Sequence, residues 1–76
     1  MTIDEAIKKL RSLLKDLEKD VITGYHSKFN IWGENMIHVW NKLSGEDILR
    51  VTDEDMLDCH IRAINELEGY LKKRGN

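Results

Sequence analysis

The middle of the chain, residues 21–51, most constrains the fold, because its apolar residues alternate. Residues 21–33 are almost all poor helix formers, whereas the flanking segments are rich in good ones. If Gly33-Glu34-Asn35 and Ser44-Gly45-Glu46 are hairpin loops, the alternation continues through three strands. One sheet face then carries the odd-numbered residues Tyr25, Phe29, Ile31, Ile37, Val39, Leu43, Leu49 and Val51, with Ser27, Asn41 and Asp47. The other face carries His26, Lys28, Asn30, Trp32, Met36, His38, Trp40, Lys42, Ile48 and Arg50.

Helical patterns flank this segment on both sides. Thr2 and Glu5 have the spacing of a capping box, and an apolar stripe follows, so we predict a helix over residues 3–20. Thr52 is the expected cap of a second helix over residues 53–73, whose first turn is acidic and whose last turn is basic. The stripe of the first helix comprises Ile3, Ile7, Leu10, Leu14, Leu17 and Val21. The stripe of the second comprises Leu57, Ile61, Ile64, Leu67 and Leu71.

These patterns predict an α+β fold, in which a helix, a three-stranded antiparallel β-meander and a second helix follow one another. Both helices are expected on the odd-numbered sheet face. The alternative is an all-α three-helix bundle, because residues 25–43 also place apolar side chains at helical spacing. At 76 residues the chain is expected to form a single domain over residues 1–76.

Composition narrows the classes of function. Lysine and arginine number 12 against 14 acids, for a net charge of −2, which is unlike the basic balance of a duplex-binding protein. Cys59 is the only cysteine, and no apolar run approaches the ~20 residues that span a bilayer. We therefore expect a cytoplasmic protein without a membrane partner.

The residues with metal-binding or nucleophilic side chains do not form a recognisable site in the sequence. In the predicted meander His26 and His38 lie ~13 Å apart, and Cys59 and His60 point about 100° apart on a helix. We expect surface histidines, a half-buried thiol and no metal or cofactor. The acids at residues 53–58 are explained by the dipole of the second helix. No phosphate-binding or nucleophile motif is present, so the chain is not expected to be an enzyme.

The even-numbered sheet face is the candidate contact surface. In the predicted register Trp40 lies between Lys28 and Arg50, and Trp32 opposes Met36. Tryptophans with cationic and apolar neighbours are typical of interface hot spots. The predicted partner-binding residues are Lys28, Trp32, Met36, His38, Trp40, Ile48 and Arg50. The alternative is that a helix or a second subunit covers this face, with Trp40 in the core.

The order of elements resembles that of double-stranded-RNA-binding domains. Those domains carry a basic cluster at the start of the last helix, where this chain has Asp53-Glu54-Asp55. Acids at that position repel phosphate, so duplex RNA is not an expected partner.

The two ends resemble short proteins encoded by phages and prophages. The similarity lies in Met1-Thr2-Ile3-Asp4-Glu5-Ala6-Ile7-Lys8-Lys9-Leu10 and in Ile61-Arg62-Ala63-Ile64-Asn65-Glu66-Leu67-Glu68. The resemblance implies a small protein that binds and modulates a host protein, including components of antiviral defence. We therefore predict a protein-binding module of the modulator or inhibitor type. The alternatives are a homo-oligomeric structural protein, with a homodimer as its simplest form, and a single-stranded nucleic-acid-binding protein.

Overall fold

The chain forms two helices and three strands in the predicted order. The structure, a computed structural model, describes residues 1–74. The elements are α1 (Ile3–Glu18), β1 (Thr23–Phe29), β2 (Asn35–Asn41), β3 (Asp47–Asp53) and α2 (Met56–Arg74). The three strands form an antiparallel meander in the order β1-β2-β3. The α+β fold is confirmed, and residues 25–43 contain most of β1, the first turn and β2 rather than the alternative helix.

Helix α1 begins with the predicted capping box. The Glu5 side chain accepts a hydrogen bond from the Thr2 amide at 2.8 Å, and the Thr2 hydroxyl accepts one from the Glu5 amide at 3.2 Å. Each side chain satisfies an amide that the helix itself leaves unpaired. The helix ends at Glu18, two residues before the predicted end, and the amide of Val21 donates to the Leu17 carbonyl.

The start of α2 differs from the prediction. Thr52 and Asp53 belong to β3, and the helix begins at Met56. Asp55 rather than Thr52 caps it, because the Asp55 carboxylate accepts from the amide of Asp58 at 2.8 Å. Thr52 does not cap the helix, because pairing of β3 with β2 extends the strand through Asp53.

One core lies between the helices and the sheet. Helix α2 packs on β3 and β2, and α1 packs on α2. Burying an aliphatic side chain such as Val39 contributes about 1.5–3 kcal/mol. The buried apolar residues are Ala6, Leu10, Leu14, Leu17, Val21, Ile37, Val39, Leu49, Val51, Cys59, Ala63, Ile64 and Leu67. The odd-numbered residues of β2 and β3 therefore face the helices, as the alternation predicted.

The same prediction is wrong for β1 and the loops. Tyr25 and Phe29 are 43% and 67% exposed, and Ile31 and Leu43 are 90% and 80% exposed. Tyr25 pairs with Val39 and so has the predicted face, but α2 packs over β2 and β3. Ile31 and Leu43 lie in the turns, outside the strands. The outer strand and the loop tips thus keep large apolar side chains in contact with solvent.

Candidate functional site

The even-numbered face of β1 and β2, which we call the outer face, lies opposite the helices. Lys28 pairs with Met36, and His38 pairs with Arg50 across to β3. Lys28 and Arg50 are exposed, whereas Met36, His38 and Trp40 are half-buried. The structure thus places five of the seven predicted contact residues on one surface: Lys28, Met36, His38, Trp40 and Arg50.

The pairs predicted around Trp40 are wrong. Trp40 lies opposite Gly24 rather than Lys28, and opposite Asp47 rather than Arg50. Its ring stacks on the imidazole of His38, with ring centroids 4.7 Å apart and an interplanar angle of 29°. The stacking reduces the indole area available to a partner or to a nucleic-acid base. Trp40 is half-buried and packed against His38, and its role in partner binding stays a prediction.

His38 also binds a carboxylate on the outer face. Its Nε2 lies 2.6 Å from Oδ1 of Asp47, a residue predicted to face the core. This hydrogen bond is the main cause that lowers the pKa of Asp47 from its usual value. His26 pairs directly with His38, instead of lying ~13 Å away as the predicted register required. Within residues 1–74, no group of three histidine, cysteine or acidic side chains is placed to hold a metal ion.

An irregularity in the sheet explains the placement of Asp47 and of Ile48. The pairing between β2 and β3 shifts between Val39 and Trp40, which leaves an extra residue on β3. Asp47 consequently takes the position opposite Trp40, and Ile48 packs half-buried against the core. Ile48 was predicted on the outer face, and that prediction is wrong because a bulge interrupts the strict alternation of side chains.

The first hairpin turns two residues earlier than predicted. Its loop spans residues 31–33 and is closed by the Asn30 amide, which donates to the Glu34 carbonyl at 2.8 Å; Gly33 has a φ of +80°. Trp32 therefore lies in the turn and does not oppose Met36 on the sheet. A three-residue turn that ends in a left-handed glycine is a common hairpin connection. The missed signal was the Asn30 side chain, which stabilises the turn by local hydrogen bonds.

Three large apolar side chains project from this hairpin. We call Phe29, Ile31 and Trp32 the hairpin tip; they are 67%, 90% and 77% exposed. The Oδ1 atom of Asn30 accepts hydrogen bonds from the amides of Trp32 at 2.9 Å and Glu34 at 3.0 Å. The loop backbone is therefore held in one conformation. Only Trp32 was among the predicted contact residues, since the alternation had assigned Phe29 and Ile31 to the core.

The second hairpin loop is held in the same way. The Oδ1 atom of Asn41 accepts from the amides of Leu43 at 2.8 Å and Ser44 at 3.2 Å, and Gly45 has a φ of +79°. Leu43 is the exposed apolar residue of this loop. An asparagine side chain thus stabilises both loops, but the first exposes Ile31 and Trp32, next to the exposed Phe29 of β1, whereas the second exposes Leu43.

Cys59 and His60 are more buried than predicted. The sulfur of Cys59 is fully buried, 3.6 Å from the Asn35 carbonyl, and burial raises the pKa of its thiol. His60 is 5% exposed, and its Nδ1 donates to the Met56 carbonyl at 2.8 Å. Both residues belong to the buried face of α2, together with Ala63, Ile64 and Leu67.

Comparison with known proteins finds no match to this chain among protein-family models, curated proteins or solved structures. The fold and surface define a small α+β domain with an exposed apolar hairpin tip. Neither helix of residues 1–74 is long and apolar enough to cross a membrane.

Proposed function

We propose that the chain is a protein-binding module whose contact surface is centred on the hairpin tip. The observation that carries this proposal is the exposure of Phe29 at the end of β1 and of Ile31 and Trp32 in the loop that Asn30 holds in place. Clustered large apolar side chains in contact with water are typical of interaction sites. An already ordered loop also loses little conformational entropy when a partner covers it.

The position of Cys59 supports binding in preference to catalysis. Its sulfur is buried and its pKa is raised, whereas a nucleophilic cysteine works as an accessible thiolate. A module of this kind acts by occupying a surface of its partner. The resemblance of its two ends to small phage proteins supports a modulator or inhibitor of a host protein, including a component of antiviral defence.

The test uses two matched variants. Trp32→Lys and Leu43→Lys each place a charge on an exposed apolar residue, 77% and 80% exposed, in the two hairpin loops. We expect a bead-bound chain to retain one protein from a host lysate in the wild type and in Leu43→Lys, and to lose it in Trp32→Lys. Circular dichroism of each variant verifies the fold. Equal capture by Trp32→Lys and wild type would contradict the proposal.

Self-association is the second candidate, because the same apolar tip can be buried against another copy. Light scattering over a range of concentrations tests it. A dimer that dissociates in Trp32→Lys but persists in Leu43→Lys would assign the tip to a homo-oligomer. A monomer at high concentration would exclude it.

A further inference from the structure

The outer edge of β1 is open to another strand. The amide of Asn30 donates to the Glu34 carbonyl and the amide of Lys42 donates to the Ile22 carbonyl, both at 2.8 Å. Even-numbered residues of β1 are therefore hydrogen-bonded to β2. By alternation, the backbone N–H and C=O groups of Tyr25, Ser27 and Phe29 point away from the sheet. These groups form the free edge of β1 in the order β1-β2-β3.

The opposite edge of the sheet is obstructed by a side chain. Arg62 of α2 donates from Nη1 to the Thr52 carbonyl of β3 at 2.9 Å. The same Nη1 lies 3.3 Å from Oδ2 of Asp53. An incoming strand would have to displace both contacts. Of the two edges, β1 is the one prepared for strand addition.

A groove runs beside the open edge on the helix side of the sheet. It has a volume of about 340 Å³ and is lined by Arg11, Leu14, Lys15, Glu18 and Tyr25. Leu14 is buried and Tyr25 is 43% exposed, so the groove has an apolar part. Arg11 and Lys15 are cationic and Glu18 is acidic, so the net charge of the groove lining is positive.

The outer face adds another cation to this edge, because Lys28 is exposed on β1. The chain as a whole has a net charge of −2, so the excess of cations here is local. Acidic residues are concentrated instead at the opposite edge of the sheet, at Asp47 of β3 and in residues 53–58. Charge is thus divided between the two edges.

We propose that β1 binds an extended, acidic segment of a partner protein as a fourth strand of the sheet. The inference rests on the proposed protein-binding function and names the chemistry of the partner. Main-chain hydrogen bonds would form with Tyr25, Ser27 and Phe29, as in other complexes that add a strand to a sheet edge. Alternate partner side chains face the groove, where apolar groups contact Tyr25, and the outer face, where acids meet Lys28.

A second copy of the chain fits this edge less well. Pairing β1 with β1 of another copy would bring Arg11, Lys15 and Lys28 near the same cations of the other copy. Like charges placed against one another in an interface disfavour association. The charge of the edge therefore selects an acidic partner.

The experiment follows amide hydrogen exchange by NMR in the isotope-labelled whole chain. The probe is an eight-residue peptide of alternating valine and glutamate, and the control peptide has lysine in place of glutamate. We expect the valine–glutamate peptide to slow exchange about tenfold or more at Tyr25, Ser27 and Phe29. The amides of His26 and Lys28, already bonded to β2, change little.

Charge reversal provides the variant test. Lys28→Glu, which reverses the cation that meets the partner's acids, is expected to weaken valine–glutamate binding about tenfold or more, and to allow valine–lysine binding. Lys8→Glu is the matched control, because Lys8 is an exposed cation of α1 outside the groove. It should leave both affinities near those of the wild type.

Three results would overturn the inference. The first is no protection of the odd-numbered β1 amides at millimolar peptide. The second is equal binding of both peptides. The third is protection of these amides in the chain alone as its concentration rises, which would assign the edge to a second copy.

The Trp32→Lys capture experiment separates the two proposals. Peptide protection that persists in Trp32→Lys supports strand addition at the β1 edge even if the hairpin tip proves dispensable. If Trp32→Lys loses the captured partner and the peptide does not protect the β1 amides, only the proposal of strand addition at β1 is rejected.

Discussion

The indole ring of Trp40 occupies the space that a side chain at Gly24 would fill. The two residues are paired across β1 and β2, and a Cβ atom on Gly24 would clash with Cε2 of the Trp40 ring. Glycine inside a strand commonly marks such a close approach. Gly24 thereby lets a large aromatic ring pack down on the sheet and stack on His38.

We predict that Gly24→Ala destabilises the fold by about 1–3 kcal/mol, because the ring must move from its packed position. Gly69→Ala is the control, since the space around Gly69 is open and the residue lies within α2. Alanine there should stabilise the helix by about 1 kcal/mol. Urea denaturation monitored by circular dichroism measures both. Equal stability of Gly24→Ala and wild type would show that Trp40 is free to move.

Asn30→Ala is expected to weaken partner binding, because Asn30 holds the backbone of the hairpin tip in its conformation. The change removes the acceptor of the Trp32 and Glu34 amides and should cost about 1 kcal/mol of stability. Asn41→Ala removes the equivalent acceptor in the second loop and should cost a similar amount. Only Asn30→Ala should lower affinity for a captured partner, as measured by calorimetry. Equal loss of affinity in both variants would indicate a general effect of stability.

Asp47 should contribute to stability in a pH-dependent way. Its hydrogen bond with His38 lowers its pKa below the usual value of 3.8 in the folded chain. Folding therefore favours the ionised carboxylate, and the contribution is present above pH about 4 and lost as the pH falls through the folded-state pKa. We predict that wild type is more stable than Asp47→Asn near pH 6 and that the difference disappears in acid.

The control for this measurement is Glu46→Gln, which removes a neighbouring exposed charge and leaves the His38 contact intact. Urea denaturation of the three chains at several pH values makes the comparison. If Asp47→Asn and Glu46→Gln follow the same pH profile, net charge and not the His38 contact is responsible.

Cys59 should react only when the chain opens. Its sulfur is fully buried and burial raises the pKa of its thiol, so the native chain is expected to react with Ellman's reagent at least about a hundredfold more slowly than the chain in urea. Ser12→Cys in a Cys59→Ala background places a thiol on the exposed surface of α1 and should react quickly without urea. A native Cys59 as reactive as this control would mean that the start of β2, at Asn35, separates from α2.

The sequence predicted the elements well because burial imposes a clear periodicity. Ile37, Val39, Leu49 and Val51 occupy every second position of their strands, and each is buried against the helices. The capping box of α1 was predicted equally well, because its hydrogen bonds join Thr2 and Glu5, which are close together in the sequence. The signals that worked were local or strictly periodic.

The register and the contact surface were harder to predict, because they depend on side-chain hydrogen bonds, on a bulge and on how the helices cover the sheet. None of these leaves a periodic pattern in the sequence. Two nearby turns around Gly33 preserve the alternation equally well, and the hydrogen bonds of Asn30 decide between them. The bulge near Trp40 breaks the periodicity and moves Ile48 to the core. Apolar residues such as Phe29 and Ile31 read as core in a pattern, because a pattern does not show how far the helices extend over the sheet.

The contact between Arg62 and the Thr52 carbonyl also bears on whether copies of the chain can add to one another edge to edge. A sheet that grows continuously from copy to copy requires two edges on every molecule that can pair with another strand, one for the preceding copy and one for the next. A guanidinium across one of them means that growth ends after a single addition. Replacing Arg62 would therefore restore the second edge and give the chain a route to polymerise.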